Sequence, residues 1–483
     1  MKKLLILLSG LLSLAATAQT DIDAFRFSQR SIAGTARYVS MGGAFGAVGG
    51  DLSVMSFNPA GLGVYRSSEF SLSPSIYTGN TNADYLDGNT VDGRTVFNFG
   101  NAGCVFTSRP RNSGKDDWVS WNFGIAYNRL ADFNNVHSLE GFNTRNSIAD
   151  YFAEQSEGTD FDDLDEFKEY LSYYTFVTDT EGTRTHYVSA IPNGQMLQRR
   201  TAESRGSLGE TNFAFSGNYA NKLYLGASLG ITYLRYTEDM TYEEIDTENR
   251  VDSMDRFRYS TYQNTEGSGI NFKMGFIYRP VDFFRFGAAI HTPTLFDLSD
   301  NYSSNMVARF DGGTRLNKES PNGAYDYEFV SPFRATAGMA FIFGKWGLAS
   351  VDYEYTDMAD ARLRGVDYGF TSENSDIRRK YTTTHSLRAG TEWRLDKVSL
   401  RAGYGYTSSP ISDSYRVDGW DFSGQHISGG IGFREKSFYI DLAYLYSFSD
   451  QYLQPYTLEN QFVEGSYEHV TGYNFTATFG VKF

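Results

Sequence analysis

Three groups of residues have types and spacings that could carry chemistry. The first is RYVSMGGAFGAVGGDLSVMSFNPAGLG, residues 37–63, where seven glycines surround an Asn-Pro-Ala. Glycine-rich turns at a helix start cradle phosphates through backbone N–H groups. A phosphate loop of the GxxxxGK[ST] type also needs a lysine, and residues 37–63 contain none. The dinucleotide pattern GxGxxG fails on the spacing of Gly42, Gly43 and Gly46. The second group is the six histidines, at 137, 186, 291, 385, 426 and 469. They form no HExxH and no paired metal spacing, so no zinc, no haem and no other cofactor is expected. His385 and His426 read as polar residues of a lumen or rim. The third is the acidic run Asp160, Asp162, Asp163, Asp165 and Glu166. It lacks the turn glycine and terminal Glu of a calcium loop and reads as a solvated helix face. No nucleophile elbow is read, and no enzyme is expected.

The elements around these groups are almost all strands. From about Glu69 the residues alternate with period two. In GYNFTATFGVKF, Tyr473, Phe475, Ala477, Phe479, Val481 and Phe483 fall on one face, and Asn474, Thr476, Thr478, Gly480 and Lys482 on the other. KVSLRAGYGYTS and SFYIDLAYLYSF divide in the same way. A soluble sandwich also alternates, but its strands run about five or six residues. Transmembrane β-strands alternate over about ten, with aromatic residues near the ends. Fourteen such segments are legible, at about 69–77, 94–107, 117–129, 208–220, 222–236, 268–279, 282–291, 329–344, 346–357, 381–395, 397–407, 424–435, 437–448 and 470–483. The first is the weakest, because Pro74 lies inside it. Connections alternate between short turns and long polar loops at 78–93, 130–207, 237–267, 292–328, 358–380, 408–423 and 449–469. An even strand number, short turns at one end and long loops at the other predict an all-β fold: a transmembrane antiparallel β-barrel of a bacterial outer membrane, with its long loops outside. The 130–207 insertion is then extracellular, with one or two short helices carrying Phe161, Leu164, Phe167 and Leu171 at helical spacing. Inward Arg388, Glu392 and Arg394 are expected to form an ion-pair ladder along one strand.

The leader fits this destination. Lys2 and Lys3 precede an apolar run that ends at Ala16-Thr17-Ala18, the pattern of a cleaved signal peptide over 1–18. Formal net charge is −15, or −17 once the two leader lysines are removed (41 basic against 58 acidic residues), which argues against a nucleic-acid partner. The single cysteine, Cys104, rules out an intramolecular disulfide framework.

Eight strands leave room only for side chains, and sixteen to eighteen enclose an aqueous channel. A barrel of about fourteen has a lumen that leaks if empty, which gives residues 19–68 a use as a plug. Gly42, Gly43, Gly46, Gly49 and Gly50 would let such a segment lie tight against a wall and adopt positive φ at turns. Asn58-Pro59 keeps Asn58 out of helical geometry and fixes φ at Pro59, making a rigid kink whose Asn can cap nearby backbone. On the residues alone, a surface turn before the first strand fits as well as a plug.

The stretch SIAGTARYVSMGGAFGAVGGDLSVMSFNPAGLG resembles the N-terminal hatch of the FadL/TodX family of outer-membrane transporters for hydrophobic compounds, of Bacteroidetes type. The resemblance rests on Gly34, Arg37-Tyr38, the small residues at 42–50, Asp51 and Asn58-Pro59-Ala60. It implies a hatch over 19–68 and a barrel over 69–483. It also implies capture of a hydrophobic ligand such as a long-chain fatty acid, with release sideways through a wall gap when the hatch moves. Asn58, Pro59 and Ala60 would be the hatch kink, and Phe45, Val54, Met55 and Phe57 the candidate ligand contacts. The chain departs from the family in placing its largest loop second, where the family's helical capture loops are the third and fourth. Expected surroundings are outer-membrane lipid and lipopolysaccharide, with a monomer favoured. Two other functions remain open: a FadL-like accessory barrel of type IX secretion with secreted-protein partners, and a general diffusion porin.

Overall fold

The computed structural model describes residues 20–483 except 111–116, 192 and 418–420; the expected leader lies outside the described residues. Among these residues fourteen wall strands follow in chain order. They are β1 (Glu69–Tyr85), β2 (Gly88–Ser108), β3 (Trp118–Asp132), β4 (Met196–Tyr219), β5 (Leu223–Ile245), β6 (Met254–Val281), β7 (Phe284–His291, continued by Leu295–Phe310), β8 (Gly323–Val330, continued by Arg334–Ile342), β9 (Gly347–Asp357), β10 (Thr383–Leu395), β11 (Val398–Thr407), β12 (Gly424–Arg434), β13 (Phe438–Leu453) and β14 (Ser466–Lys482). All pair antiparallel with their neighbours, and β14 returns to β1 from Glu69↔Lys482 to Asp84↔Tyr467. The wall is a closed barrel, which leaves no unpaired sheet edge to lipid.

The alternation read in the sequence is the alternation of the wall. On β13, Phe438, Ile440, Leu442 and Tyr444 are exposed, while Tyr439, Asp441, Ala443 and Leu445 are buried. On β14, Phe475, Phe479 and Val481 point out, and Thr476 and Thr478 are buried. A belt of exposed Phe, Ile and Leu around a polar interior is the inverse of a soluble barrel, and hydrocarbon is the solvent it suits. On β5 the outward run Leu225, Leu229, Tyr233 gives way to Arg235, ion-paired with Glu266 on β6 (3.2 Å), which marks the upper edge of the apolar belt.

Above that edge the structure departs from the expectation. Much of the loops expected at 78–93, 237–267 and 292–328 is strand: β1 and β2 pair up to Tyr85↔Gly88, and β5 and β6 up to Ile245↔Arg256. Beyond the lipid the outer face meets polar surroundings while the inner face packs on loop residues such as Phe152 and Leu171, so the outward apolar pattern lapses while the backbone ladder continues. Pro74 sits in β1 at a bulge where Ser73 pairs Asn101 and Pro74 pairs Phe99, leaving Gly100 as the extra residue; proline has no N–H to give the ladder. In the 130–207 insertion the helices are α3 (Ile148–Ser156) and α4 (Glu169–Tyr174), not one helix through Phe161–Leu171. The side chains of Asp160 and Asp165 bond the backbone N–H groups of Asp162 and Phe167, local bonds that compete with a continuous helix.

Before β1 the chain forms α1 (Asp21–Ser28), α2 (Ala36–Ser40) and two 3-10 turns, Leu52–Ser56 and Pro59–Val64. Every residue from 34 to 49 and from 51 to 63 is buried. The segment hydrogen-bonds to inward side chains of β3, β4, β7, β8, β9, β10, β12 and β14 and to the backbone of β6.

Candidate lumenal site

Asn58 is the N-cap of the second 3-10 turn, with Pro59 as its first residue. Its Oδ1 accepts from Ala60 N (3.2 Å), and its Nδ2 donates to the carbonyls of Gly46 (2.7 Å) and of Phe276 on β6 (3.2 Å). One side chain therefore starts the turn, ties it to the glycine stretch and ties both to the wall. The expected kink is a helix start, and proline is preorganised for that position. The wall makes room for it: a Cβ on Gly226 would lie 2.4 Å from Ala60 N, and one on Gly275 2.3 Å from Asn58 Oδ1. Of the five glycines expected to pack here, Gly42, Gly43, Gly49 and Gly50 have positive φ. Gly46 serves close approach instead, donating its N–H to Asp352 on β9 (2.6 Å).

Charged groups register the segment. Arg37 Nε donates to Glu392 Oε2 (2.7 Å), which also accepts from Arg401 Nε (2.8 Å); Arg401 Nη1 reaches Asp441 on β13 (2.7 Å). Burial pulls the Arg37 guanidinium down, but Glu392 outweighs it and holds the group above its ordinary value. The ladder expected of Arg388, Glu392 and Arg394 is therefore only partly formed. Arg394 does meet Glu392 (2.7 Å), whereas Arg388 pairs with Glu354 on β9, which also holds Arg334 (3.0 Å). Charges on adjacent strands lie closer than charges two or four residues along one strand, so the network runs around the wall. Lys273 and Glu210 form a further buried pair (2.6 Å). His291 Nε2 lies 2.6 Å from the Phe57 carbonyl, which can only accept, so Nε2 carries the proton and Nδ1 faces Arg30 (3.4 Å). His426 faces the lumen and donates to Gly42 O (3.2 Å); His385 lies on the outer face beside Tyr353 (2.7 Å).

The four expected ligand contacts do not meet in one place. Phe45 and Val54 share an apolar cluster with Tyr38, Met41 and Leu348. Met55 packs with Leu62, Val105 and Ala126. Phe57 lies edge-on to His291 and under the Arg388 guanidinium (4.8 Å). Asp160 caps a short 3-10 turn, Phe161–Asp163, in which Asp162 lies exposed, and both carboxylates meet Arg184. A G-x-S-x-G string occurs at Gly226–Gly230. It runs along β5 with no strand-to-helix turn, and Ser228 Oγ donates to Asn212 (2.9 Å), so it is no nucleophile elbow.

Sequence reading missed a seam in the wall. β2 and β3 pair only over Asn101–Ser108 with Trp121–Asn128, although β2 continues to Gly88 and β3 to Asp132 along their other neighbours. Where the ladder stops, the N-terminal segment takes over: Ser31 N donates to Leu130 O (2.8 Å), and Gly34 lies against Gly100. Ala36 N donates to Thr478 Oγ1 (2.7 Å) on the far side of β1. Pro74 was the available signal, since its bulge lies at this level.

No family model matches the sequence, and no curated protein matches it. Solved structures do share its architecture. A FadL homologue of Pseudomonas aeruginosa aligns with a TM-score of 0.59 at 12% identity, over 94% of this chain and 99% of that one. The toluene transporter TodX of Pseudomonas putida gives 0.53 at 15%, over 94% and 99%. The toluene transporter TbuX of Ralstonia pickettii gives 0.51 at 15%, over 94% and 99%. At such identities the likeness establishes the fold.

Proposed function

We propose that this chain, which has the fold of the FadL and TodX channels, takes up hydrophobic compounds across the outer membrane, long-chain fatty acids among them. The observation that carries this reading is the seam between β2 and β3, closed by the N-terminal segment itself. Residues 20–68 act as a hatch. Their polar ties to so many strands oppose an open aqueous pore and argue against a general diffusion porin. A compound admitted at the extracellular end descends to the level of Phe57, and leaves sideways into lipid when residues 31–36 lift from Leu130 and Thr478. The capped turn at Asn58-Pro59-Ala60 keeps the rest of the hatch seated meanwhile.

Lipid mass spectrometry on gently solubilised protein, paired with growth of a deletion strain on fatty acid, tests the reading. Bound hydrophobic compound and impaired growth are expected. A barrel free of hydrophobic ligand, from a strain that grows normally but fails to secrete proteins, would replace uptake with the secretion role.

A further inference from the structure

The outer wall carries a groove that the uptake route does not use. It is an apolar hollow of about 610 Å³ near the short-turn end of β3–β7, within the roughly 300–1,000 Å³ of ordinary ligand sites. One bank is an aromatic slab: Trp118 stacks on Trp121 (4.3 Å), and Trp121 on Phe215 (5.4 Å). The other bank is Phe276 and Ile290. The floor is low because Ala227 and Ala288 occupy outward positions where neighbouring residues are Leu225, Leu229, Phe286 and Ile290. The ladder beneath is continuous, Gly226↔Gly275 and Gly275↔Ala289 included, so this is a depression in an intact wall and not a gap. The inner side of the same patch is where Gly226 and Gly275 receive the Asn58-Pro59-Ala60 turn.

We infer that this groove holds one acyl chain of a periplasmic-leaflet phospholipid whose phosphate sits at the turn below. The hollow lies in the lipid-facing belt, where hydrocarbon must fill it. Trp118 opens β3 and Trp121 follows three residues on, the strand-end position at which indoles anchor to an interface. Lys222, exposed in the turn next to Arg279, has no ion-pair partner among the described residues and supplies the cation that a headgroup phosphate needs. The bound chain braces the thin patch of wall on which the hatch turn rests.

Native mass spectrometry of the full-length protein tests this, comparing wild type with Ala288→Phe, which fills the groove, and Lys222→Glu, which leaves the groove open but reverses the charge. Expected is one phospholipid, identified by fragmentation, that survives detergent exchange on wild type, falls about tenfold in occupancy in Ala288→Phe and falls less in Lys222→Glu. Heat-modifiable electrophoretic mobility checks that both variants fold; should Ala288→Phe fail, Lys222→Glu alone decides. The inference is overturned by wild type without phospholipid or by equal occupancy in the folded variants. It is equally overturned if a free hydrophobic compound is the species lost, or if wild type is a dimer that Ala288→Phe separates.

Discussion

The lumenal seam and the cap at the long-loop end are both closed, by opposite chemistry. The cap is apolar. Phe27 of α1 meets Phe133, Tyr236 and Phe329 edge to face at 5.9–6.2 Å, and a second cluster joins Phe152, Leu171, Tyr242, Phe257 and Met306. The lumen is tied by ions and capped backbone: Arg37 to Glu392, Gly46 to Asp352, Asn58 to Phe276 O. Apolar contacts lack direction and tolerate small slips, whereas an ion pair out of reach of water holds one register or fails outright. A closure of the first kind can loosen by degrees, as the proposed uptake requires of the cap; one of the second kind stays seated until a specific set of bonds is broken.

That contrast can be tested from either side. Glu392→Ala should do most damage, because it strands Arg37 in a buried site and leaves Arg401 with Asp441 alone. A loss of about 3–5 kcal/mol is expected, measured by denaturant unfolding in detergent; a loss below about 1 kcal/mol would show that the network does not hold the segment. Leu171→Ala, fully buried in the cap, should cost about 2–5 kcal/mol, felt mainly as faster hydrogen exchange in α3 and α4 with the lumen unaffected. Exchange rising equally in residues 34–63 would mean that cap and plug are one unit. Asn58→Ala removes three hydrogen bonds and should cost about 1–3 kcal/mol, raising exchange at Gly46 and Ala60 and lowering uptake.

The smallest effect is a pH dependence in the cap. Glu244, above the apolar belt, accepts from Ser147 Oγ (2.6 Å), Ile148 N (2.9 Å) and Gln198 (2.9 Å). Burial nevertheless pushes its carboxyl up to about 7, against the pull of those donors. The folded cap thus binds the proton more tightly than the unfolded chain. Its contribution is full below the ordinary carboxylate range and is lost as pH rises through about 7. Protection of α3, corrected for intrinsic exchange, should fall between pH 6 and 8 in wild type and stay level in Glu244→Gln.

All fourteen wall strands were legible in the sequence because lipid imposes a binary pattern that neither water nor a mixed core enforces so strictly. The same pattern marked Arg388 and Glu392 as inward charges. Their partners were not legible, since Arg37 and Glu392 lie 355 residues apart and only the seating of the N-terminal segment in the barrel brings them together. The Asn-Pro-Ala turn was readable because capping is local. Strand extensions above the lipid, the breaks between α3 and α4 and the early end of the β2–β3 ladder were not, because polar residues there obey no period.

Conductance of the full-length protein in a planar bilayer tests the central claim, that passage occurs past a seated plug and not through an open pore. No stable open channel is expected across the wild-type barrel, even in a preparation that takes up hydrophobic compounds. A steady ohmic conductance from wild-type protein would contradict it.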